Sequence, residues 1–320
     1  MNPFNKFSAA VVAASLMLLS SGCALHRVDS DHSTDATRNA KADKPMNPAE
    51  AQPLIERAQL AVRNGDVDAA LVDYVEALRI RPDSAEIRAS IGALHEQRGD
   101  LSAARQAYED ALKINPRLAP ALEGVGLILL KSHQPDAARS YLQQAVAADA
   151  RCWRAQVGLG VLSDLGHLPM QAQTYYRAAM QQRPNDASLL NNYGYSMYLA
   201  GNYRAAASTF ERALAINPDY AVAWSNLALA RVRMGDYRGG VQAFNETMKP
   251  YQAYNNVGYL LYMKGDLAAA RQYLQQAIAL SPSYYALAQQ NLERVEIASG
   301  TAQVLPEARP TAVAMPGSAR

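Results

Sequence analysis

The amino-acid sequence predicts an all-α solenoid of about seven helix-turn-helix repeats, closed by a C-terminal capping helix. Three observations predict it. Alanine recurs every 34 residues at Ala70, Ala104, Ala138, Ala172 and Ala206, and in a second register at Ala77, Ala111, Ala145, Ala179 and Ala213. Glycine keeps the same period at Gly92, Gly126, Gly160 and Gly194. Proline closes the units at Pro82, Pro116, Pro184 and Pro218, with Ala150 in the one remaining slot. Self-similarity at a fixed period of this length marks a stacked-repeat architecture.

In chain order, residues 1–22 read as a targeting segment and are set aside from the fold. Lys6 and the free amine give a weakly positive start, and Ala9 to Leu19 form an apolar run too short to span a bilayer. The following Leu19-Ser20-Ser21-Gly22-Cys23 resembles a lipobox, which implies lipidation of Cys23 and cleavage before it. The pattern departs at one place, because Ser20 stands where leucine is usual and Leu19 lies one position further out. An ordinary secretory cut in the same stretch would instead leave a periplasmic protein without lipid. With Cys23 acylated, Cys152 has no intramolecular partner, so stability must come from packing. Multiple acyl chains exceed the single chain that anchors only marginally. Ala24, rather than Asp, after the cysteine favours the outer membrane by resemblance to lipoprotein sorting rules. Residues 23–50 have almost no apolar periodicity and read as a flexible tether, with an end-to-end distance of roughly 25–30 Å. His26 and His32 in it read as solvated rather than as metal ligands.

The folded part follows. GDVDAALVDYVEALRIRP, GDLSAARQAYEDALKINP, GNYRAAASTFERALAINP and GDLAAARQYLQQAIALSP are close copies of one another. With small residues at positions 8 and 20, Ala at 27 and Pro at 32, the unit resembles the tetratricopeptide repeat across residues 51–284. That resemblance implies a right-handed superhelix whose first helices line an inner surface. The small residue at position 8 of the first helix is expected to face Ala at position 20 of the second. A bulky side chain there would cost about 1–3 kcal/mol in overpacking. Gly65, Gly99, Gly201, Gly235 and Gly265 fall where the turn between the helices needs a left-handed residue. Proline at position 32 stops the second helix. The units are 51–84, 85–118, 119–152, 153–186, 187–220, 221–250 and 251–284, followed by a capping helix at 285–299 and a disordered tail at 300–320. The sixth unit has 30 residues, with Gly240 and Thr247 at positions 20 and 27, and Pro250 expected to end its second helix early. It reads as a tolerated deletion, or as a local hinge.

A net charge of +2, with acidic and basic residues interspersed, gives no concentrated basic surface for nucleic acid. No Walker sequence, zinc spacing or paired-acid motif appears, so no cofactor, no metal and no enzymatic activity is expected. Gly124-Val125-Gly126 and Gly158-Leu159-Gly160 are not phosphate loops, because no strand precedes them and each second glycine is the position-8 packing residue. His133 and His167 stand where other units carry the turn glycine, and His95 falls at a helix-core position. Cys152, beside Trp153 at a joint between units, reads as a small packed residue.

Binding is expected on the first helices. The family resemblance assigns ligand contact to positions 2, 5, 9 and 12, with Asn common at 6. At positions 5 and 6 of units five to seven stand Asn191, Asn192, Ser225, Asn226, Asn255 and Asn256, and at 9 and 12 stand Tyr195, Tyr198, Tyr259 and Tyr262. The spacing places them on one helical face. An amide both donates to and accepts from a peptide backbone, and tyrosine offers rigid apolar area with a polar tip. Fifteen of the 18 tyrosines lie at or after Tyr175, which puts any aromatic surface in the C-terminal half. Some of these side chains equally suit packing between helices. Members of the class that clamp a terminal carboxylate use Lys and Arg at positions 2, 5 and 6, which here are mostly Gln, Ser, Val and Asn. An extended internal segment or a helix is the better ligand.

The anchor, tether and array together resemble outer-membrane lipoproteins that assist pilus and secretion machines. The stretch AYNNVGYLLYMKGDLAAARQYLQQAIALSPSYYALAQQNLERV resembles the TadD-type lipoproteins of Flp (Tad) pilus loci. This implies a protein partner, a secretin or another assembly component, and membrane attachment through the N-terminal lipid. A type IVa pilotin of the PilF or PilW kind and an NlpI-like adaptor for peptidoglycan hydrolases are the rival readings. The oligomeric state stays open. An enzyme using the repeats as a substrate arm would need a catalytic domain, and no unassigned segment is long enough.

Overall fold

The structure is a computed structural model that describes residues 48–300. The expected signal peptide, Cys23, the tether up to residue 47 and the tail from residue 301 lie outside the described residues. Among the described residues there are fifteen α-helices, a short 3-10 turn at Pro48–Glu50, and no strand. The chain divides into two compact units, one ending at Ala230 and the other beginning at Arg231.

The first unit contains five antiparallel pairs: α1 (Ala51–Arg63) with α2 (Val67–Ile80), α3 (Ala85–Gln97) with α4 (Leu101–Ile114), α5 (Ala119–Lys131) with α6 (Pro135–Ala148), α7 (Trp153–Leu165) with α8 (Pro169–Gln182), and α9 (Ala187–Leu199) with α10 (Tyr203–Ile216). Helix α11 (Ala221–Arg233) follows. From α1 to α9, each helix packs on the next, and α3, α5, α7 and α9 also touch in succession. In the second unit α12 (Tyr237–Asn245) packs on α13 (Pro250–Lys264), α13 on α14 (Leu267–Leu280), and α15 (Ala286–Ala298) caps both α14 and α13.

Turn chemistry explains the pairs. Gly65, Gly99, Gly201, Gly235 and Gly265 all have positive φ, between 78° and 88°. In four of these turns the next residue is an aspartate that caps the second helix: Asp66, Asp100, Asp236 and Asp266 accept from the backbone N–H three residues on, at 2.9–3.2 Å. Such a cap contributes about 1 kcal/mol. The third and fourth pairs use another solution. His133 and His167 hold the left-handed position at φ 57° and 59°, and Pro135 and Pro169 open the second helices. Proline suits that first position because its missing N–H would have had no partner there.

The core is built from small residues against large ones. Ala70, Ala104, Ala138, Ala172 and Ala206 are fully buried, as are Ala77, Ala111, Ala145, Ala179 and Ala213. The position-8 glycines also make room for a large residue of the second helix. A Cβ on Gly92 would sit 2.8 Å from the Tyr108 ring, on Gly126 2.7 Å from Leu142, on Gly160 2.6 Å from Tyr176, on Gly194 2.8 Å from Phe210, and on Gly258 2.7 Å from Leu274. Each of those neighbours is position 24, a large residue on the second helix that the glycine lets lie flat against the first. Gly124 and Gly158 extend the arrangement, because they receive the other side of Tyr108 and of Leu142.

One expectation is corrected. Helix α12 ends at Asn245, and Pro250 opens α13 instead of ending the helix before it. The four-residue gap, 246–249, lets proline take the N-terminal position that its chemistry favours. Beside it, the Lys249 backbone N–H donates to Gln252 Oε1 at 3.1 Å.

Candidate functional site

The ten side chains expected to face a ligand fall in both units. In the first, Asn191 and Asn226 are buried, and Asn226 Nδ2 donates to Asn191 Oδ1 at 2.9 Å. The pair ties α9 to α11. It also leaves Asn191 Nδ2 and Asn226 Oδ1 buried with no partner among the described residues. Such stranded polar atoms cost about 1–3 kcal/mol each. Asn192 is half-buried, and so is Ser225, whose hydroxyl donates to the Ala221 carbonyl at 3.1 Å. Tyr195 is largely buried and stacks on Tyr198 with ring centroids 6.0 Å apart. Tyr198, half-buried, tilts against Tyr203 at 5.4 Å.

The second unit repeats the theme. Asn255 is buried, and its Oδ1 accepts from Asn291 Nδ2 of α15 at 3.0 Å. Its own Nδ2 donates to Asn256 Oδ1 at 3.3 Å, and Asn256 Nδ2 reaches Met248 Sδ at 3.3 Å. Tyr259 and Tyr262 are half-buried and tilted together at 6.3 Å. Asn191 and Asn226 therefore stitch α9 to α11 and Asn255 stitches α13 to α15, while Asn192, Ser225, Tyr198, Asn256, Tyr259 and Tyr262 keep exposed surface.

Sequence reasoning passed over two polar clusters in the first unit. One joins α3, α5 and α7. Arg154 Nη2 donates to Glu96 Oε1 at 2.5 Å and its Nη1 lies 3.7 Å from Glu123, while Lys131 lies 3.7 Å from Glu96. The Tyr108 hydroxyl donates to Glu96 Oε2 at 3.2 Å, and the Ala155 N–H donates to Glu123 Oε2 at 3.0 Å. Burial pushes the Glu123 carboxyl above its ordinary value and raises the Tyr108 phenol as well. Two acids meet two bases, so the cluster closes on itself.

The other cluster surrounds Asp164, which is 6% exposed. Tyr176 donates to Asp164 Oδ2 at 3.0 Å, and Ser196 donates to Oδ1 at 2.8 Å. Among the described residues no base contacts the carboxyl, and burial pushes it up to about 7. The Ser196 Oγ also lies 3.0 Å from the Pro169 carbonyl. One hydroxyl hydrogen is thus shared between the two acceptors, and the bonds from Ser196 and Tyr176 only partly oppose the rise that burial causes. Cys152 is half-buried and burial pushes its thiol up to about 11, which keeps it out of the nucleophilic thiolate form.

Comparison with known proteins settles the family. Tetratricopeptide-repeat matches cover residues 55–119, 126–165 and 161–221, with further repeats at 197–260 and 251–284. The chain belongs to the tetratricopeptide-repeat family. A curated relative, the heat-shock protein cognate co-chaperone sgt12 of Aspergillus fumigatus, is 31% identical over 99 residues, which are 31% of this chain and 28% of that one. The repeat array thus spans little over a quarter of that co-chaperone's length. Among solved structures, the Cut9–Hcn1 assembly of the APC/C aligns with TM-score 0.55 at 18% identity, over 78% of this chain and 52% of that one. PilF of Pseudomonas aeruginosa aligns with TM-score 0.50 at 19% identity, over 68% of this chain and 99% of that one. The two solved structures share the stacked helix-pair fold of this chain.

Proposed function

We propose that the chain is an outer-membrane lipoprotein scaffold that grips a protein component of a pilus secretion machine and assists its assembly or localisation. The observation that carries this reading is the lipobox-like Leu19-Ser20-Ser21-Gly22-Cys23 set before a tetratricopeptide array. The closing wording of the repeats, which resembles TadD-type lipoproteins of Flp (Tad) pili, narrows it to that machine and to its secretin. PilF supports the size and the fold, since the array covers nearly all of that protein. A type IVa pilotin would use the same anchor and the same grip.

In this mechanism acylated Cys23 holds the array at the periplasmic face of the outer membrane. The first unit offers the partner Asn192, Ser225 and Tyr198, and the second unit by itself offers Asn256, Tyr259 and Tyr262. Asn191, Asn226 and Asn255 position the helices that carry them. Two measurements test the proposal. Cys23→Ala should release the protein from sedimented outer membranes, and a variant still membrane-bound would refute the anchor. Asn192→Ala with Asn256→Ala should lower co-purification of the secretin about tenfold, the loss of one or two hydrogen bonds. Undiminished recovery with the circular dichroism intact would refute the grip. Asn226 is unsuitable for that test, because its removal also breaks the buried pair with Asn191, and Asn192→Ala alone serves as the control for Asn256→Ala, which takes the acceptor from Asn255 Nδ2.

A further inference from the structure

Position 24 carries tyrosine in the first, second and fourth repeats, as Tyr74, Tyr108 and Tyr176. In two of them the hydroxyl donates to the carboxylate at position 12 of its own repeat, Tyr108 to Glu96 and Tyr176 to Asp164. In the first repeat position 12 is Val62, which offers no acceptor. Tyr74 is only 6% exposed, and its hydroxyl has no partner among the described residues. It lines a cavity of about 190 Å³ between the first two repeats, together with Ile55, Gln59, Arg81, Glu86 and Ile87.

The cavity's other hydroxyls are already committed. Ser84 Oγ donates to Glu86 Oε2 at 3.1 Å, and Ser90 Oγ donates to the Glu86 carbonyl at 3.0 Å. Tyr74 is therefore the hydroxyl donor left to spend. The volume falls below the roughly 300 Å³ at which small-molecule pockets begin, and matches one side chain of a larger ligand. Ile55 and Ile87 favour an apolar stem. A purely apolar tip would strand the Tyr74 hydroxyl, a penalty that sites built around a hydrogen bond use to reject such side chains. Arg81 and Glu86 offset one another, so the lining carries no net charge that would exclude either an acidic or an amide tip.

We propose that this cavity is an anchor pocket for one side chain of a bound polypeptide, glutamine or glutamate, whose carbonyl-type oxygen accepts from Tyr74. The pocket rests on the array binding polypeptide, but not on the asparagine and tyrosine face of the later repeats. It adds a specificity point at the opposite end of the sequence.

The test uses the full chain in detergent and immobilised hexapeptide pools, each with one central residue fixed as glutamine, glutamate, norleucine or lysine and the flanks randomised. The glutamine or glutamate pool should retain the protein about tenfold better than norleucine, the discrimination expected from one buried hydrogen bond. Tyr74→Phe keeps the ring and should erase that preference. Val62→Glu, at an exposed position, supplies the acceptor that the second repeat has in Glu96, and should erase it as well. Equal retention of the norleucine pool, or a preference that survives Tyr74→Phe, overturns the pocket. The Asn192 and Asn256 variant leaves this pocket intact, so failure of one site is read separately from failure of the other.

Discussion

Two stretches of the first unit carry polar groups into a helix stack and satisfy them by opposite means. Across α3, α5 and α7 the groups are charged, and Arg154 and Lys131 stand against Glu96 and Glu123 with Tyr108 completing the set. Across α9 and α11 they are neutral amides, and the single bond between Asn191 and Asn226 leaves one donor and one acceptor over. The difference separates two uses of the same register. A closed network of charges fixes how successive helices stand and has nothing to offer a ligand. An amide pair fixes them less firmly, and the asparagines and tyrosines beside it keep exposed polar tips.

The largest expected effect concerns Asp164, which adjoins both stretches through Tyr176 and Ser196. Its folded value of about 7 exceeds the roughly 3.9 of an unfolded aspartate, so the neutral acid favours folding. That contribution is complete below about pH 4 and is lost as pH rises through 7, for a total of about 3–4 kcal/mol. Urea unfolding of the wild type and of Asp164→Asn, compared between pH 4 and 8, isolates it from other carboxyls. The gap between the two curves should change across that window, and parallel curves would mean that the buried acid does not titrate there. Next in size, Arg154→Met strips the shared cation from Glu96 and Glu123 and should cost about 2–3 kcal/mol. Adding Glu96→Gln should recover part of the loss, since the second change removes the charge left stranded. Strict additivity would show that the network is not coupled.

Much of this was legible in the sequence, and the boundary of legibility is physical. The glycine, alanine and proline registers fix helix pairs because each meets a backbone or close-packing demand that repeats every unit. The 12 and 24 pairing was also on the page. Carboxylates at Glu96 and Asp164 accompany Tyr108 and Tyr176, whereas Leu130 and Tyr198 accompany Leu142 and Phe210, which have no hydroxyl to place. Of the candidate site, the helix face was readable but the depth was not. Asn191 and Asn192 are neighbours in sequence, yet one is buried in a pair and the other half-exposed. Which of them turns inward depends on what the neighbouring helix presents, here Asn226 opposite Asn191, and not on spacing along one helix.

A middle-sized effect probes that contrast directly. Asn191→Ala removes the acceptor of the buried pair and leaves Asn226 with both of its amide functions unmet, so it should destabilise by about 1–3 kcal/mol. Asn192→Ala, one residue along and half-exposed, should fall within about 0.5 kcal/mol of wild type. Equal losses at the two positions would erase the distinction between stitching and gripping amides.

The smallest effect has the opposite sign. His133 and His167 lie in the turns of the third and fourth repeats, at φ 57° and 59°, where the other pairs carry glycine. A side chain in the left-handed region costs about 1 kcal/mol relative to glycine, and neither histidine is called on by the charged cluster of α3, α5 and α7. His133→Gly and His167→Gly should therefore each stabilise by about 0.5–1 kcal/mol in thermal unfolding, and the two gains should add because the residues stand in separate turns. Neither substitution should alter the coupling between Arg154 and Glu96. A destabilised histidine variant would instead mean that the imidazole supports the turn, which would tie the left-handed residue to the charged stretch and undo its separation from the rest of the array.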